Sequence, residues 1–240
     1  MTARAMGPAA ALVGVLPTVQ SQGVWSGRRQ LAVRFAGEAE TAVMYSAAAL
    51  AEEMKRLTGR ATFHSIALSG RDPLGNVECL AAALTSARLE LPVLAETDGQ
   101  RPEAVRALAP LLRVVQVSTD GAAPAPALGR IHATIGAAAE LGLDHALVLE
   151  PGEHTTDAQL LRLVEQAHAV SERVAVVIHP DEQPGTSSLD PRWAELLAQA
   201  TGLHGDVRLV RRLGDGPGRT SAPRPRDCVF TGTAFARMCL

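Results

Sequence analysis

The feature that most constrains this chain is a rhythm. Short apolar runs recur at 30–35, 62–68, 91–95, 113–117, 145–149 and 173–178. After each comes a polar or glycine-containing turn, and then apolar residues at helical spacing. Strands alternating with helices pair in parallel through right-handed crossovers. Two architectures satisfy the pattern: an open doubly wound sheet, and a barrel or partial barrel. In both, the C-terminal ends of the strands face the ligand.

The helical segments carry their own punctuation. Residues 46–57 place Glu52, Glu53, Lys55 and Arg56 opposite an apolar stripe and end at Gly59. Further helices are predicted over 76–88, over 102–111 with Pro102 in the first turn, and over 127–141 before Gly142. Another is capped by Thr155 or Thr156 and runs to about 171; the last covers 191–200, before a short strand at 207–210. Residues 1–16 read as a flexible Ala-rich lead-in, and 17–27 as a hairpin or ordered loop. The expected organisation is one domain over 17–213 with a Gly/Pro/Arg-rich C-terminal arm over 214–240.

Composition narrows the function classes. An apolar content of 47% is ample for a core, but aromatics are only 3%, so the core must be built from Ala, Val and Leu. A net charge of -2 gives no polybasic case for nucleic acid or for an anionic membrane. No apolar run reaches the roughly 20 residues that span a bilayer. The apolar stretch 9–16 is short and lacks the flanking charge and cleavage site of a secretory signal. The cysteines, Cys79, Cys228 and Cys239, form no CxxC pair, which argues against a disulfide framework and a zinc knuckle. A reducing cytoplasm is the simplest compartment.

Polar residues gather at the predicted strand ends: Arg34, Ser69, Asp72, Glu96, Asp98, Ser118, Asp120, Glu150, Glu153, His179, Asp181 and Glu182. Loops are polar in general, but the set points to a ligand cleft. There is no G-x-S-x-G elbow, P-loop, H-E-x-x-H or Rossmann fingerprint. His64 and His145 fall within predicted strands and are read as structural.

Several segments, in order, resemble a known family. Residues 17–28, PTVQSQGVWSGR, resemble the P-T-x-Q-G-E-G-x-x-x-G-R opening of the radical SAM 7-carboxy-7-deazaguanine synthases. LAVRFAG (31–37) is similar to that family's FVRLAG, LSGRDPL (68–74) to its LTGGEPL, and ETDG (96–99) to its ETNG. Val117-Ser118 sits where the family has a VS strand end. The resemblance implies a partial (β/α)6 barrel of the radical SAM type, and a homodimer.

The departures are as telling. The family's C-x3-C-x2-C motif follows the glycine that matches Gly37, and here its cysteine positions are Glu38, Ala42 and Tyr45. An iron–sulfur cluster needs thiolate ligands. The Asp-Thr after the third cysteine is Ser46-Ala47, the glycine-rich SAM turn is Gly70-Arg71, its Glu is Asp72, and a family lysine is Asp120. The expectation is a radical SAM fold without the cluster and without radical chemistry.

The surviving positions define expected roles. Gln20 and Arg34 match contacts to the family's purine-like substrate; Arg34 either grips a carboxylate or pairs with nearby Glu38 or Glu40. Ser69, Gly70, Arg71, Asp72, Pro73, Glu96 and Ser118 match the binding site for S-adenosylmethionine (SAM). Asp72 either meets the ligand's amine or caps the following helix. Glu38, Tyr45 and His179 are the candidate acid–base groups, and no residue is assigned to a metal. One expected function is polar, non-radical transferase or lyase chemistry on SAM or a related nucleoside in a specialised biosynthetic pathway. The second is a non-catalytic binding partner, which leaves the enzyme question open. The third is an ordinary α/β enzyme unrelated to SAM. A small-molecule ligand is expected in the enzyme readings.

Overall fold

The computed structural model describes residues 7–180 and 190–211. The predicted C-terminal arm, Cys228, Cys239, Asp181 and Glu182 lie outside these residues. Among the described residues, one sheet runs in the order β3-β1-β2-β4-β5-β6-β7-β8-β9. The strands are β1 (Ala9–Val19), β2 (Arg29–Phe35), β3 (Val43–Ser46), β4 (Ser65–Gly70), β5 (Val93–Thr97), β6 (Val114–Thr119), β7 (Asp144–Leu149), β8 (Ala175–Ile178) and β9 (Val207–Leu209). From β2 onward, omitting β3, every neighbouring pair is parallel.

The α-helices among the described residues are α1 (Ala47–Thr58), α2 (Val77–Ala87), α3 (Pro102–Leu108), α4 (Ala125–Glu140), α5 (Asp157–Val170) and α6 (Pro191–Leu203). The parallel strands stay in chain order, so right-handed crossovers put the helices on one face of the sheet. A doubly wound sheet would reverse direction part-way. This one does not, and β3 and β9 remain as edges. The result is a partial β/α barrel.

Helix starts follow their sequence signals. Ser46 accepts from the Ala49 amide at the head of α1, and Thr156 and Gln159 form a reciprocal capping box at the head of α5. Asp190 caps α6, with Pro191 in its first turn.

The strands alternate cleanly between two faces. Leu31, Val33, Phe35, Ile66, Leu68, Val115, Val117, Leu147, Leu149, Val176 and Ile178 join helix residues such as Leu50, Met54, Leu80, Ile131, Leu160 and Leu196 in the main core. The opposite face mixes small or polar residues, Ala32, Ala67, Glu96, Gln116, Ser118 and Ala146, with Leu94, Val114 and Val148, held in lateral register by the parallel ladder.

Two expectations need correction at the N-terminal end. Residues 9–16, expected as a flexible lead-in, belong to β1, which pairs antiparallel with β2 along most of its length. Hydrogen bonding to an already specified strand orders it despite its Ala-rich composition. A second strand, β3, forms from part of the presumed cluster loop and pairs antiparallel with β1, Ala10 opposite Tyr45.

A cleft above a filled barrel

The loop between β1 and β2, residues 20–28, lies across the inner face of the sheet. The Gly23 amide donates to His179 Nε2 at 2.8 Å, and the Val24 amide donates to Gln116 Oε1 at 3.1 Å. Gln22 Nε2 donates to Glu150 at 3.0 Å. Val24 and Trp25 then pack on Ala67, Leu94 and Val114, and the Trp25 ring meets His64 edge-on, with centroids 4.7 Å apart. The small side chains of the inner face leave the room that this loop occupies. Gly23 is required there. Its φ is +88°, and a Cβ would stand 2.0 Å from Gln116 Oε1.

Above the loop, at the C-terminal strand ends, is an open cavity of about 360 Å³. It is lined by Gln22, by the turn Gly70-Arg71-Asp72-Pro73, by Glu96, Thr97 and Asp98, and by Ser118 and Glu150. Six of the seven positions matched to SAM binding line it; Ser69 does not. The turn is shaped by Gly70, whose φ is +93° and whose Cβ would strike the Phe35 carbonyl at 2.2 Å. Asp72 follows in the left-handed region, with φ 43°, a conformation Asp tolerates better than most side chains. Its carboxylate makes no helix cap. Arg101 grips it bidentately, Nε to Oδ1 at 2.7 Å and Nη2 to Oδ2 at 2.6 Å.

The turns after β5 and β6 are built alike, from Thr97-Asp98-Gly99 and Thr119-Asp120-Gly121. In each, the Thr hydroxyl accepts from the glycine amide and the Asp carboxylate accepts from the amide two residues on. These turns end the strands sharply. Glu96 and Ser118 on the preceding inner-face positions are thereby presented to the cavity.

The cavity is electronegative. Arg71 faces Asp72, Asp98, Glu96 and Glu150, and Asp72 already has Arg101. Glu96 is the perturbed group. Burial pushes its carboxyl up to about 7, against the hydrogen bond from Gln20, and the Glu150 charge adds to the rise.

The other expected residues sit as follows. Gln20 is 3% exposed, and its Nε2 donates to Glu96 Oε1 at 3.3 Å, beneath the cavity lining. Arg34 is paired with Glu40, which also accepts from the Gly37 amide, so of its two readings the local ion pair is the one found. Glu38 is exposed on a tight turn and Tyr45 packs against the main core from the edge strand, so neither lines the cavity. The reason is local folding: Glu40 closes the turn back onto Gly37, and β3 draws Tyr45 to the sheet edge. His179 is 3% exposed and anchors the loop through Nε2 instead of facing the cavity. His145, expected to be structural, bonds the Leu143 carbonyl and the Ser171 hydroxyl.

Glu150, Gln22 and Asp98 line the cavity without having been assigned a role. Glu150 and Asp98 stood among the strand-end polar residues. Gln116 is the single polar residue inside the run Val114–Thr119 before Ser118, which marks an inner-face position facing something polar. Among the described residues, no three His, Cys, Asp or Glu side chains converge in a way that could hold a metal ion. Among them also, no helix is long and apolar enough to cross a membrane.

No family model and no curated protein matches the sequence. Among solved structures, the chain is similar to a radical SAM methyltransferase from Sphaerobacter thermophilus, with a TM-score of 0.56 and 14% identity, over 78% of this chain and 67% of that one. At that identity the likeness is one of fold. The chain has the fold of a radical SAM protein, an open β/α barrel with its cleft at the C-terminal strand ends.

Proposed function

We propose that the cleft binds SAM or a related nucleoside and that the protein carries out polar, non-radical chemistry on it. The observation that carries this reading is the cavity itself. The Gly70–Pro73 turn, Glu96 and Ser118, three separate segments that resemble SAM-binding positions, line one electronegative space at the strand ends. A sulfonium and an α-ammonium are cationic and suit carboxylates. A sulfonium is also activated toward nucleophiles, so transfer needs positioning and a base, not an electron. That the solved structure of similar fold is a methyltransferase is consistent with group transfer.

Among the described residues, the side chains of the matching loop do not fit a [4Fe–4S] cluster. The matching loop offers Glu38, Ala42 and Tyr45, and the one described cysteine, Cys79, is 2% exposed in the helix-side core, where burial pushes its thiol up. The proposed chemistry therefore takes no step through a cluster.

One observation favours a non-catalytic binding role instead. Arg34 and Asp72, two of the charged positions expected to meet ligand, are both occupied by internal ion pairs. Calorimetric titration with SAM and S-adenosylhomocysteine, followed by mass analysis of the SAM products, separates the two. Saturable binding with turnover supports the enzyme, and binding without turnover supports the partner. No binding at millimolar SAM removes the SAM reading. Stoichiometric iron in anaerobically purified protein would contradict the cluster-free assignment.

A further inference from the structure

We propose that Glu96 is the acid–base group of the cleft, giving up one proton when the cationic ligand binds and then taking the proton of the attacking nucleophile, and that Gln20 holds it in both protonation states. This deepens the SAM reading and rests on it for the identity of the cation. None of the three groups first assigned to acid–base work lines the cavity, whereas Glu96 does.

The geometry is specific. Gln20 is buried, and its amide nitrogen reaches Glu96 Oε1, while its own carbonyl oxygen has no partner. A buried amide oxygen without a donor is costly. A protonated Glu96 supplies that donor. Turning the amide about its last torsion exchanges its NH2 and its oxygen. The same side chain then donates to a carboxylate or accepts from a carboxylic acid.

The charged groups around Glu96 are mostly carboxylates. Glu150, across the cleft and held by Gln22, opposes its ionisation. Asp98 adds negative charge on the rim, Asp72 is paired with Arg101, and Arg71 is the one basic residue of the lining, while His179 accepts from Gly23 below. An arriving cation relieves this repulsion and drives the proton off Glu96. The carboxylate then serves as the base. An amine or hydroxyl nucleophile of the second substrate attacks a carbon on sulfur and the new bond to carbon forms. The C–S bond breaks with its electron pair going to sulfur, and the nucleophile's proton passes to Glu96.

Two measurements on the full chain test this. Carboxyl 13C NMR of the free protein should place one Glu midpoint near 7, absent in Glu96→Gln, lowered in Glu150→Gln and raised in Gln20→Leu. SAM titration at pH 7 in buffers of different ionisation enthalpy should release about half a proton per SAM bound, and close to none in Glu96→Gln. SAM binding without proton release overturns the inference and leaves the SAM reading standing. Absence of SAM binding removes that reading, and the NMR then decides. A Glu96 midpoint near 7 supports the acid–base assignment, and one near the ordinary 4.5 overturns it.

Discussion

The two faces of this sheet solve different problems. The helix face is a continuous apolar core of Leu, Val, Ile and Ala in which polar side chains are rare. The inner face has a smaller apolar cluster, Ala67, Leu94 and Val114, with Val148 and Val177 further along the sheet, and is completed by Trp25 and by paired polar groups. One face is stabilised by area removed from water, the other by matching donors to acceptors. Stability and function are thereby separated. The helix side can be made as apolar as folding needs, while the inner side keeps the charged and amide groups that line the cleft.

Substitutions that cut into each face test the contrast. Phe35→Ala, at 1% exposed on the helix side, should lose the most, about 4 kcal/mol in urea unfolding, from lost transfer energy and a cavity. A loss below about 1 kcal/mol would break the comparison. Gly23→Ala should cost about 2 kcal/mol, from positive φ and from the clash with Gln116. Adding Gln116→Ala should return part of it, and a strictly additive double mutant would mean that the loop does not press on Gln116 as described.

Glu96 gives the inner face a pH signature. Its carboxyl is raised from 4.5 to about 7 in the folded chain, so the unfolded chain gives up the proton first as pH rises. The contribution is fully present below 4.5, falls as pH climbs toward 7, and is level above it. The stability of the wild type relative to Glu96→Gln should drop by about 2 kcal/mol across that window, allowing for partial exposure. A flat difference would remove the burial assigned to this group. The smallest effect belongs to the rim. Arg101→Ala breaks a half-exposed ion pair with Asp72 and should cost about 0.5 kcal/mol in the same unfolding assay.

Much of this was legible in the sequence. The caps at Ser46 and Thr156, the strand–turn–helix rhythm, and the polar strand ends at Asp72, Glu96 and Ser118 are local signals, and they place the cleft lining. The unread parts depend on distant partners. β1 lacks strong alternation and is ordered by β2, and β3 is a four-residue edge that exists only because β1 does. The bond between Gln22 and Glu150 joins residues 128 apart, and that between Gly23 and His179 joins residues 156 apart. Neither is visible in any window of sequence. His179 therefore read as an acid–base candidate with no sign that the distant Gly23 amide donates to its Nε2, whereas the pairing of Arg34 with Glu40, six residues on, was one of the readings the local sequence offered.

The loop that fills the barrel also gives the molecule an optical readout. The chain has two tryptophans, Trp25 and Trp193. Trp193 is 4% exposed on α6, with the Arg192 guanidinium over its ring, and sits on the helix side. Trp25 is three residues along the chain from Gln22, which lines the cleft, and rests against the inner sheet. The two indoles thus sit on opposite sides of the sheet, each in its own dielectric. A Trp193→Phe protein would emit from the inner face alone, so displacement of the loop becomes a change of colour that needs no added label.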